Sequence, residues 1–147
     1  MKHYDRPVAE IMRIHFVTLA PGDRLDLADD VMKLGRIRHM PVLDGDRLIG
    51  VVSQRDLLAA SLSKALDFDP KERRVFLKSV AVDEAMTRDP VTVSPDTGAG
   101  EAARLLVRRK IGCLPVVDAK GVVVGLVTET DLLRAAYDLE EPEGEAR

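Results

Sequence analysis

The sequence of this protein repeats itself, and the second copy begins 74 positions after the first. Val8-Ala9-Glu10-Ile11-Met12 aligns with Val82-Asp83-Glu84-Ala85-Met86, and Met-Pro-Val-Leu-Asp at 40–44 aligns with Leu-Pro-Val-Val-Asp at 114–118. After one extra residue in a turn of the second copy, residues 50–58 align with 125–133. Chance similarity of two amphipathic segments would not keep Pro, Gly and Asp in the same order. The chain is therefore predicted to contain two copies of one folding unit.

Each copy predicts the order strand, helix, strand, strand, helix. In the first copy an apolar strand at Phe16–Leu19 precedes a turn, and Asp23 is a suitable N-cap for a helix that runs to about Leu34. Gly35 suits the C-terminus of that helix. The apolar stripe predicted on this helix consists of Leu27, Ala28, Val31, Met32 and Leu34.

The second copy follows the same order, with a strand at Val91–Val93 and a helix at Ala99–Arg109 that turns Ala102, Leu105 and Leu106 inward. The predicted hairpins are Met40–Leu43 with Leu48–Val52, and Leu114–Val117 with Val122–Val127. The closing helices are predicted to start at Gln54 and Glu129. The expected fold is therefore α/β, with two tandem βαββα repeats at 8–62 and 81–137, a helical linker at 63–80 that contains a loop at Asp67–Pro70, and an acidic tail at 138–147.

Composition and charge argue against several classes of protein. The net charge of −3 and the aromatic content of 3% argue against binding to nucleic acid. No apolar run reaches the roughly 18 residues that span a bilayer, and the first residues lack the apolar stretch of a secretory signal. The single cysteine, Cys113, leaves no intramolecular disulfide, and its apolar neighbours favour a buried thiol over a reactive one. We therefore expect a cytoplasmic protein without a membrane span.

Catalytic residues and metal ligands are not predicted. The sequence has no Ser/His/Asp order and no phosphate-binding loop of the GxxxxGK[ST] type. His3, His15 and His39 are too scattered to suggest a metal site. An enzyme is therefore not expected.

Two short motifs occur in both copies at equivalent places. The first is h-P-V-h-D (h, hydrophobic) before the hairpin turn, at 40–44 and 114–118. The second follows the turn and reads Gly-Val-Val-Ser-Gln-Arg-Asp at 50–56 and Gly-Leu-Val-Thr-Glu-Thr-Asp at 125–131. Each motif alone is weak, but two copies of both at the right spacing are specific. Over residues 8–136 the chain resembles a tandem pair of cystathionine-β-synthase (CBS) domains.

The resemblance implies a regulatory module rather than an enzyme. In this family two repeats pack sheet against sheet into a pseudo-twofold module, and clefts between the repeats often hold adenosine-containing ligands. The implied ligands are AMP, ADP or ATP, with S-adenosylmethionine and NAD as second choices. CBS pairs also commonly associate as homodimers, and a module of this kind acts on an effector protein that the sequence does not identify. The alternative is a structural dimerisation module with empty clefts.

Ser53 with Asp56, and Thr128 with Asp131, have two interpretations. From the residues alone, each pair is a capping box at the start of a helix. The resemblance implies that the aspartate accepts hydrogen bonds from ribose hydroxyls, while the hydroxyl side chain contacts the ligand near its sugar or phosphate. A carboxylate suits a vicinal diol because it offers two acceptor oxygens and no competing donor. The glycines that precede the pairs, Gly50 and Gly125, allow the close approach of a ligand or of backbone, or simply ease packing.

Basic residues precede the first h-P-V motif but not the second. Arg38 and His39 are either solvated charges or, as the resemblance implies, contacts to a ligand phosphate. The second copy has Gly112 and Cys113 at these positions, so two unequal sites are expected, with Thr128 and Asp131 combining with Arg38 and His39. The basic run at 108–110 is either a solvated helix end or a further ligand contact.

The first-strand segments, 14–17 and 88–91, resemble those that flank adenine in the family. Asp89-Pro90 in the second copy replaces His15-Phe16 in the first, which again indicates unequal sites. The complete set of residues predicted to bind ligand is Ile14, Val17, Arg38, His39, Met40, Pro41, Ser53, Asp56, Arg88, Val91, Cys113, Leu114, Pro115, Thr128 and Asp131.

A homodimer is expected from the apolar side chains of the helices, which cannot all face the sheets of their own repeat. The closing helices carry most of them, and the first helix of each repeat adds one. The candidates are Leu57, Leu58, Leu62, Leu132, Leu133 and Ala136, with Met32 and Leu106.

Overall fold

The structure is a computed structural model that describes residues 5–65 and 69–140. A short 3₁₀ helix, Val8–Glu10, precedes the other elements. The helices are α1 (Leu25–Gly35), α2 (Gln54–Ala65), α3 (Pro70–Ser79), α4 (Val82–Ala85), α5 (Ala99–Arg109) and α6 (Glu129–Tyr137). The strands are β1 (His39–Asp44), β2 (Arg47–Ser53), β3 (Thr87–Arg88), β4 (Cys113–Val117) and β5 (Val123–Thr128). The predicted α/β class is confirmed. No helix within the described residues is both long and apolar enough to cross a membrane.

The chain forms two compact units that cut across the sequence repeats. The central unit comprises residues 17–90, and the terminal unit combines the segment up to residue 16 with the segment from residue 91 onward. The first residues of each repeat therefore fold with the body of the other repeat: 8–16 belong to the terminal unit and 82–90 to the central unit.

The central unit is built on a three-stranded sheet in the order β1-β2-β3. The strands β1 and β2 form an antiparallel hairpin, and β3 adds antiparallel to β2 through the pairs Gly50–Arg88 and Val51–Thr87. The core packs Leu19, Leu25, Ala28, Met32, Met40, Val42, Val52, Leu57, Leu77, Val82 and Met86. Val82 and Met86 come from the second sequence repeat, so its first segment completes the core of this unit.

The terminal unit repeats this arrangement around the hairpin of β4 and β5. Arg13 bridges antiparallel to Leu126 of β5, in the place that Thr87 takes beside β2. The core packs Val8, Ile11, Val93, Ala99, Ala102, Leu106, Leu114, Val116, Val127 and Ala135. Here Val8 and Ile11 come from the first sequence repeat.

Several predicted boundaries are confirmed. The helix α5 spans Ala99–Arg109, and α2 and α6 begin at Gln54 and Glu129, as the sequence indicates. Both hairpins occur, with most strand ends moved by about one residue. In the predicted linker, Asp69 accepts a hydrogen bond from the backbone N–H of Glu72 at 2.8 Å and caps α3. Pro70 therefore belongs to a helix rather than to the predicted loop, whereas Asp67 and Phe68 lie outside the described residues.

The predicted first strands are wrong. In the segment 16–19 only Leu19 bridges to a strand, parallel to Val42, and in 91–93 only Val93 does so, parallel to Val116. Each of these segments has a single residue in register with a strand edge, and the residues that pair antiparallel with the other strand of each hairpin are Arg13 and residues 87–88.

The predicted N-cap of α1 is also wrong. Its N-cap is Arg24, while the Asp23 carboxylate accepts from the backbone N–H of Ala20 at 2.8 Å and closes the preceding turn. The predicted C-terminus of α1 is confirmed, because Gly35 is the last helical residue, and Arg36 follows it in the left-handed conformation, with φ of 52°.

The predicted apolar stripe of α1 is partly wrong. Leu27 and Leu34 are exposed, and Asp29 is buried instead. Arg73 of α3 donates to the Asp29 carboxylate at 3.0 Å, and the Lys33 ammonium lies 2.9 Å from it. This compensation lets a charged residue occupy the packed face. The predicted acidic tail, 138–147, is described only to residue 140.

Candidate functional site

Thr128 and Asp131 form a complete capping box at the start of α6. The Asp131 carboxylate accepts from the backbone N–H and from the hydroxyl of Thr128, both at 2.9 Å. The Thr128 hydroxyl in turn accepts from the backbone N–H of Asp131 at a longer 3.4 Å. Two backbone donors that the helix leaves without a partner are thereby satisfied, and the side chain of Asp131 is fixed in one orientation.

Ser53 and Asp56 make the same arrangement at the start of α2. The backbone N–H and the hydroxyl of Ser53 donate to Oδ2 of Asp56 at 2.8 and 3.0 Å, and the Asp56 backbone N–H donates to Oγ of Ser53 at 3.1 Å. The capping interpretation is therefore confirmed in both repeats. A cap does not exclude a ligand contact, because an ionised carboxylate has about four lone-pair sites.

The glycine before each pair allows backbone to approach. A Cβ atom on Gly50 would lie 2.9 Å from the carbonyl oxygen of Thr87, and one on Gly125 would lie 3.0 Å from the carbonyl oxygen of Arg13. The sulfur atoms of Met86 and Met12 would each lie 2.5 Å away. In both units the missing side chain thus makes room for the segment that arrives from the other sequence repeat.

The first segment of each repeat donates one further hydrogen bond to the aspartate of the opposite repeat. In the terminal unit Nε of Arg13 donates to Oδ1 of Asp131 at 3.2 Å, forming an ion pair whose carboxylate is almost fully buried. In the central unit the Thr87 hydroxyl donates to Oδ1 of Asp56 at 3.3 Å. Arg13 and Thr87 occupy equivalent positions of the repeat. The further donor on Asp131 is therefore a cation, whereas the further donor on Asp56 is a neutral hydroxyl.

Sequence reasoning did not identify Arg13 or Thr87 as site residues. Both directly follow the methionine of the aligned Val8–Met12 and Val82–Met86 motifs. The alignment of the two repeats puts Arg13 and Thr87 at the same position. It also shows that one side chain is a long cation and the other a short hydroxyl. What the sequence did not show was that this position folds beside the aspartate of the opposite repeat.

The residues just before the two h-P-V motifs are cross-strand neighbours of the hydroxyl residues of the capping pairs. His39 lies opposite Ser53 in the first hairpin, and Cys113 lies opposite Thr128 in the second. Arg38 is exposed and His39 half-buried. Cys113 is buried as predicted, and burial, followed by the nearby charge of Asp131, raises the pKa of its thiol to about 12. The thiol therefore stays protonated near neutral pH.

The predicted combination of Thr128 and Asp131 with Arg38 and His39 draws on both units. The first pair belongs to the terminal unit and the second to the central unit. The combination stays a prediction. The basic residues at 108–110 are all exposed, and Lys110 is the left-handed C-cap of α5.

The other predicted ligand residues divide by exposure. The side chains of Met40, Pro41, Leu114 and Pro115 are fully buried, so these residues can offer a ligand only their backbone. Ile14, Val17 and Arg88 are exposed, and Val91 is half-buried. The two first-strand segments differ in backbone as well as in sequence, because Asp89 has a φ of 48°. Within the described residues no group of three or more His, Cys, Asp or Glu is arranged to hold a metal ion.

The sequence profile of the CBS domain matches residues 8–63 and 82–138, which together make up most of the chain. The chain belongs to the CBS domain family. A CBS domain-containing protein of Dictyostelium discoideum is 33% identical over 136 residues, which cover 92% of this chain and 94% of the relative. An inosine-5'-monophosphate dehydrogenase of Korarchaeum cryptofilum is 34% identical over 116 residues, or 79% of this chain, but the match spans 21% of that enzyme.

Solved structures of CBS pairs share the fold. CBSX2, whose crystal structure is a complex with AMP, is 32% identical with a TM-score of 0.73, and the match covers 90% of this chain and 96% of that one. The CBS domain pair of protein MJ0100, solved with 5'-methylthioadenosine and S-adenosyl-L-methionine, is 25% identical with a TM-score of 0.73, and the match covers 88% of this chain and 98% of that one. The predicted tandem CBS pair is confirmed.

Proposed function

We propose that this CBS pair is a regulatory module that binds an adenosine-containing ligand and is not itself an enzyme. The observation that carries the proposal is the fixed carboxylate at the start of α2 and of α6, at the motif positions that in this family face the ribose. The AMP complex of CBSX2 and the methylthioadenosine and S-adenosylmethionine complex of the MJ0100 pair support adenosine as the shared part of the ligand.

Each carboxylate has some capacity left for a ribose. Within the described residues Asp131 accepts three hydrogen bonds, two from Thr128 and one from Arg13. Asp56 likewise accepts three, two from Ser53 and one from Thr87. Because a carboxylate has about four lone-pair sites, one position stays open on each. A ribose that donates both of its hydroxyls must therefore share or displace the donor on Oδ1.

AMP, ADP and ATP are the proposed ligands, with S-adenosylmethionine and NAD as second choices. We also propose that Arg38 and His39 contact the ligand phosphate, since a guanidinium presents a donor fork that fits phosphate. A cytoplasmic module that senses adenylate levels would transmit the signal to an effector protein.

A thermal-shift panel of AMP, ADP, ATP, NAD and S-adenosylmethionine tests the proposal. A ligand that binds only the folded state at about 100 times its Kd adds roughly 2.7 kcal/mol of stability, so the Tm should rise with at least one compound. Asp131→Asn should reduce the rise, measured from the Tm of the ligand-free variant. Asp46→Asn, in the exposed β1–β2 turn, is the matched control and should leave it unchanged. If no compound shifts the Tm at millimolar concentration, the binding proposal fails.

Exposed apolar side chains on the closing helices favour self-association as a second function. Leu58 of α2 is 59% exposed, and Leu133 and Tyr137 of α6 are 55% and 71% exposed. Met32 and Leu106, which were expected to add to this surface, are instead buried in the cores, and Leu57 is buried as well. The side chain of Leu62 lies outside the described part of the chain. We propose a homodimer that uses the exposed members of this set.

A further inference from the structure

We propose that one face of α5 is a docking surface for an amphipathic helix of a partner protein, and that this helix carries an acidic side chain opposite Arg104. The α5 face consists of Gly100, Ala103, Arg104 and Val107. The inference goes beyond ligand binding, because none of these residues belongs to the aspartate sites. It gives the proposed regulatory module a surface for contact with its effector protein.

The helices α1 and α5 are held by equivalent backbone contacts, each within its own unit. Both helices have 11 residues, and α5 begins 74 positions after α1. In the central unit the N–H of Leu25 donates to the carbonyl oxygen of Val80 at 3.0 Å. In the terminal unit the N–H of Ala99 donates to the carbonyl oxygen of Arg6 at 2.8 Å. Because Val80 directly follows α3, the chain just before Arg6 is the positional counterpart of α3.

The face of α1 that matches the α5 face is covered by α3. This α1 face consists of Asp26, Asp29, Asp30 and Lys33. Arg73 of α3 donates to the Asp29 carboxylate at 3.0 Å. Arg74 donates to both carboxylate oxygens of Asp30, at 2.9 and 3.0 Å. Leu77 is buried in the core of the central unit, so α3 packs here through apolar contact and through charges opposite to those of α1.

The α5 face keeps the geometry of this α1 face but changes its chemistry. Ala103 and Arg104 stand where α1 has Asp29 and Asp30. Arg104 is exposed, and no hydrogen bond or ion pair engages its side chain within the described residues. Val107 is 77% exposed. A single exposed valine is ordinary on a protein surface, but the matching turn of α1 packs against a helix, so the α5 face can accept a helix as well.

The charge of the α5 face favours an acidic helix. Arg108 is exposed one turn after Arg104, and like charges at this spacing destabilise a helix. The basic run 108–110 continues this positive surface in a chain whose net charge is −3. A helix with arginines at the places that α3 uses would be repelled, whereas an acidic side chain opposite Arg104 would be attracted. Gly100 and Ala103 allow the two helix axes to approach, because the distance between packed helices depends on the side chains at the contact.

A helix attached to the full chain, at the place equivalent to that of α3, tests the inference. The segment 69–79, which contains α3 and its N-cap, replaces residues 1–5 directly before Arg6. Both grafts carry Arg73→Leu, since the residue opposite it on α5 is an alanine. The acidic graft adds Arg74→Glu, and the basic graft keeps Arg74 as its matched control.

Alkylation by iodoacetamide of a thiol introduced with Ala103→Cys measures whether the grafted helix docks. This position matches that of Asp29, which is buried beside α3. Cys113 adds little background, because burial raises the pKa of its thiol to about 12. The new thiol should react at least about threefold more slowly with the acidic graft than with the basic graft. Arg104→Asp should reverse this order.

Three results would overturn the inference, and each leaves the proposed ligand binding untouched. If neither graft slows alkylation relative to the ungrafted protein, the α5 face does not accept a helix. If both grafts slow it equally, or if Arg104→Asp leaves their order unchanged, the face does not select an acidic side chain. If the ungrafted protein already reacts slowly and the Leu58→Glu, Leu133→Glu double variant reacts fast, a second copy covers the face. Circular dichroism identifies a variant that fails to fold, and if this is Arg104→Asp, the comparison of the two grafts decides.

Discussion

Arg13 forms an ion pair with Asp131, with 3.2 Å between Nε and Oδ1, although the two residues belong to different sequence repeats. The equivalent contact joins Thr87 of the second repeat to Asp56 of the first. Each carboxylate of the candidate site is thus held by the first segment of the opposite repeat. The site and the exchange of segments are therefore parts of one arrangement, so a change that loosens the segment should also disturb the aspartate.

The glycines that admit these segments should be sensitive to any side chain. Gly50→Ala places a Cβ 2.9 Å from the Thr87 carbonyl oxygen, which is backbone and cannot rotate away. We expect the free energy of unfolding to fall by about 1–3 kcal/mol in urea titrations, as for other overpacked sites. Gly22→Ala is the control, because nothing lies within 4 Å of its Cβ position. Equal stability of the two variants would contradict the close approach.

The Cys113 thiol should resist alkylation in the folded protein. Burial, with a further contribution from Asp131, raises its pKa to about 12, so the reactive thiolate is scarce at pH 8. Mass spectrometry after iodoacetamide treatment should find little modification of native protein and full modification in urea. Rapid labelling of the native protein would show that the strand β4 opens or that the thiol is accessible.

Asp29 should contribute to the fall in the free energy of unfolding at acidic pH. Burial opposes its ionisation, but hydrogen bonds and charges from Arg73 and Lys33 outweigh burial and lower its pKa. The stabilisation is therefore present above the ordinary aspartate pKa of about 3.9, and is lost as the pH falls through the lower folded value.

We expect Asp29→Asn to flatten the fall in unfolding free energy between about pH 4 and pH 2. The control is Asp46→Asn, in the exposed β1–β2 turn, which should follow the parent curve. An unchanged acid limb in Asp29→Asn would show that the α1–α3 ion pairs do not stabilise the fold.

The proposed dimer depends on exposed leucines of the closing helices. Multi-angle light scattering should give about twice the 16.2 kDa mass of one chain at micromolar concentration. A Leu58→Glu and Leu133→Glu double variant should shift the mass towards one chain, since an apolar interface does not accept unpaired carboxylates. Val75→Glu, at a residue of α3 that is 71% exposed, should leave the mass unchanged. A single-chain mass for the parent protein would reject the dimer.

Much of the fold follows from local sequence. The helix starts at Gln54 and Glu129 were predictable because a hydroxyl residue and an aspartate three positions later make a cap from neighbouring residues alone. The hairpins were predictable because apolar runs flank short polar turns. The repeat further gave the equivalence of the two halves.

The sequence predictions are wrong where residues far apart in the chain determine which side chains are buried. Asp29 replaces Leu27 and Leu34 on the packed face of α1 because Arg73, which is far along the chain, compensates its charge. The sequence also does not show that each repeat packs its first segment into the other unit. Val8 and Val82 are equally apolar, so the core of either unit could have accepted either residue. Arg13 was missed as a site residue for this reason.

Isothermal titration of AMP into the parent protein and into an Asp56→Asn, Asp131→Asn double variant tests whether these two carboxylates hold the ribose of the ligand. We expect saturable heat from the parent protein and the loss of that heat from a double variant that remains folded by circular dichroism. AMP binding of equal strength to the folded double variant would contradict the assignment of the ribose to these carboxylates. An absence of heat from the parent protein with AMP, ADP, ATP, NAD and S-adenosylmethionine at millimolar concentration would contradict the binding function itself.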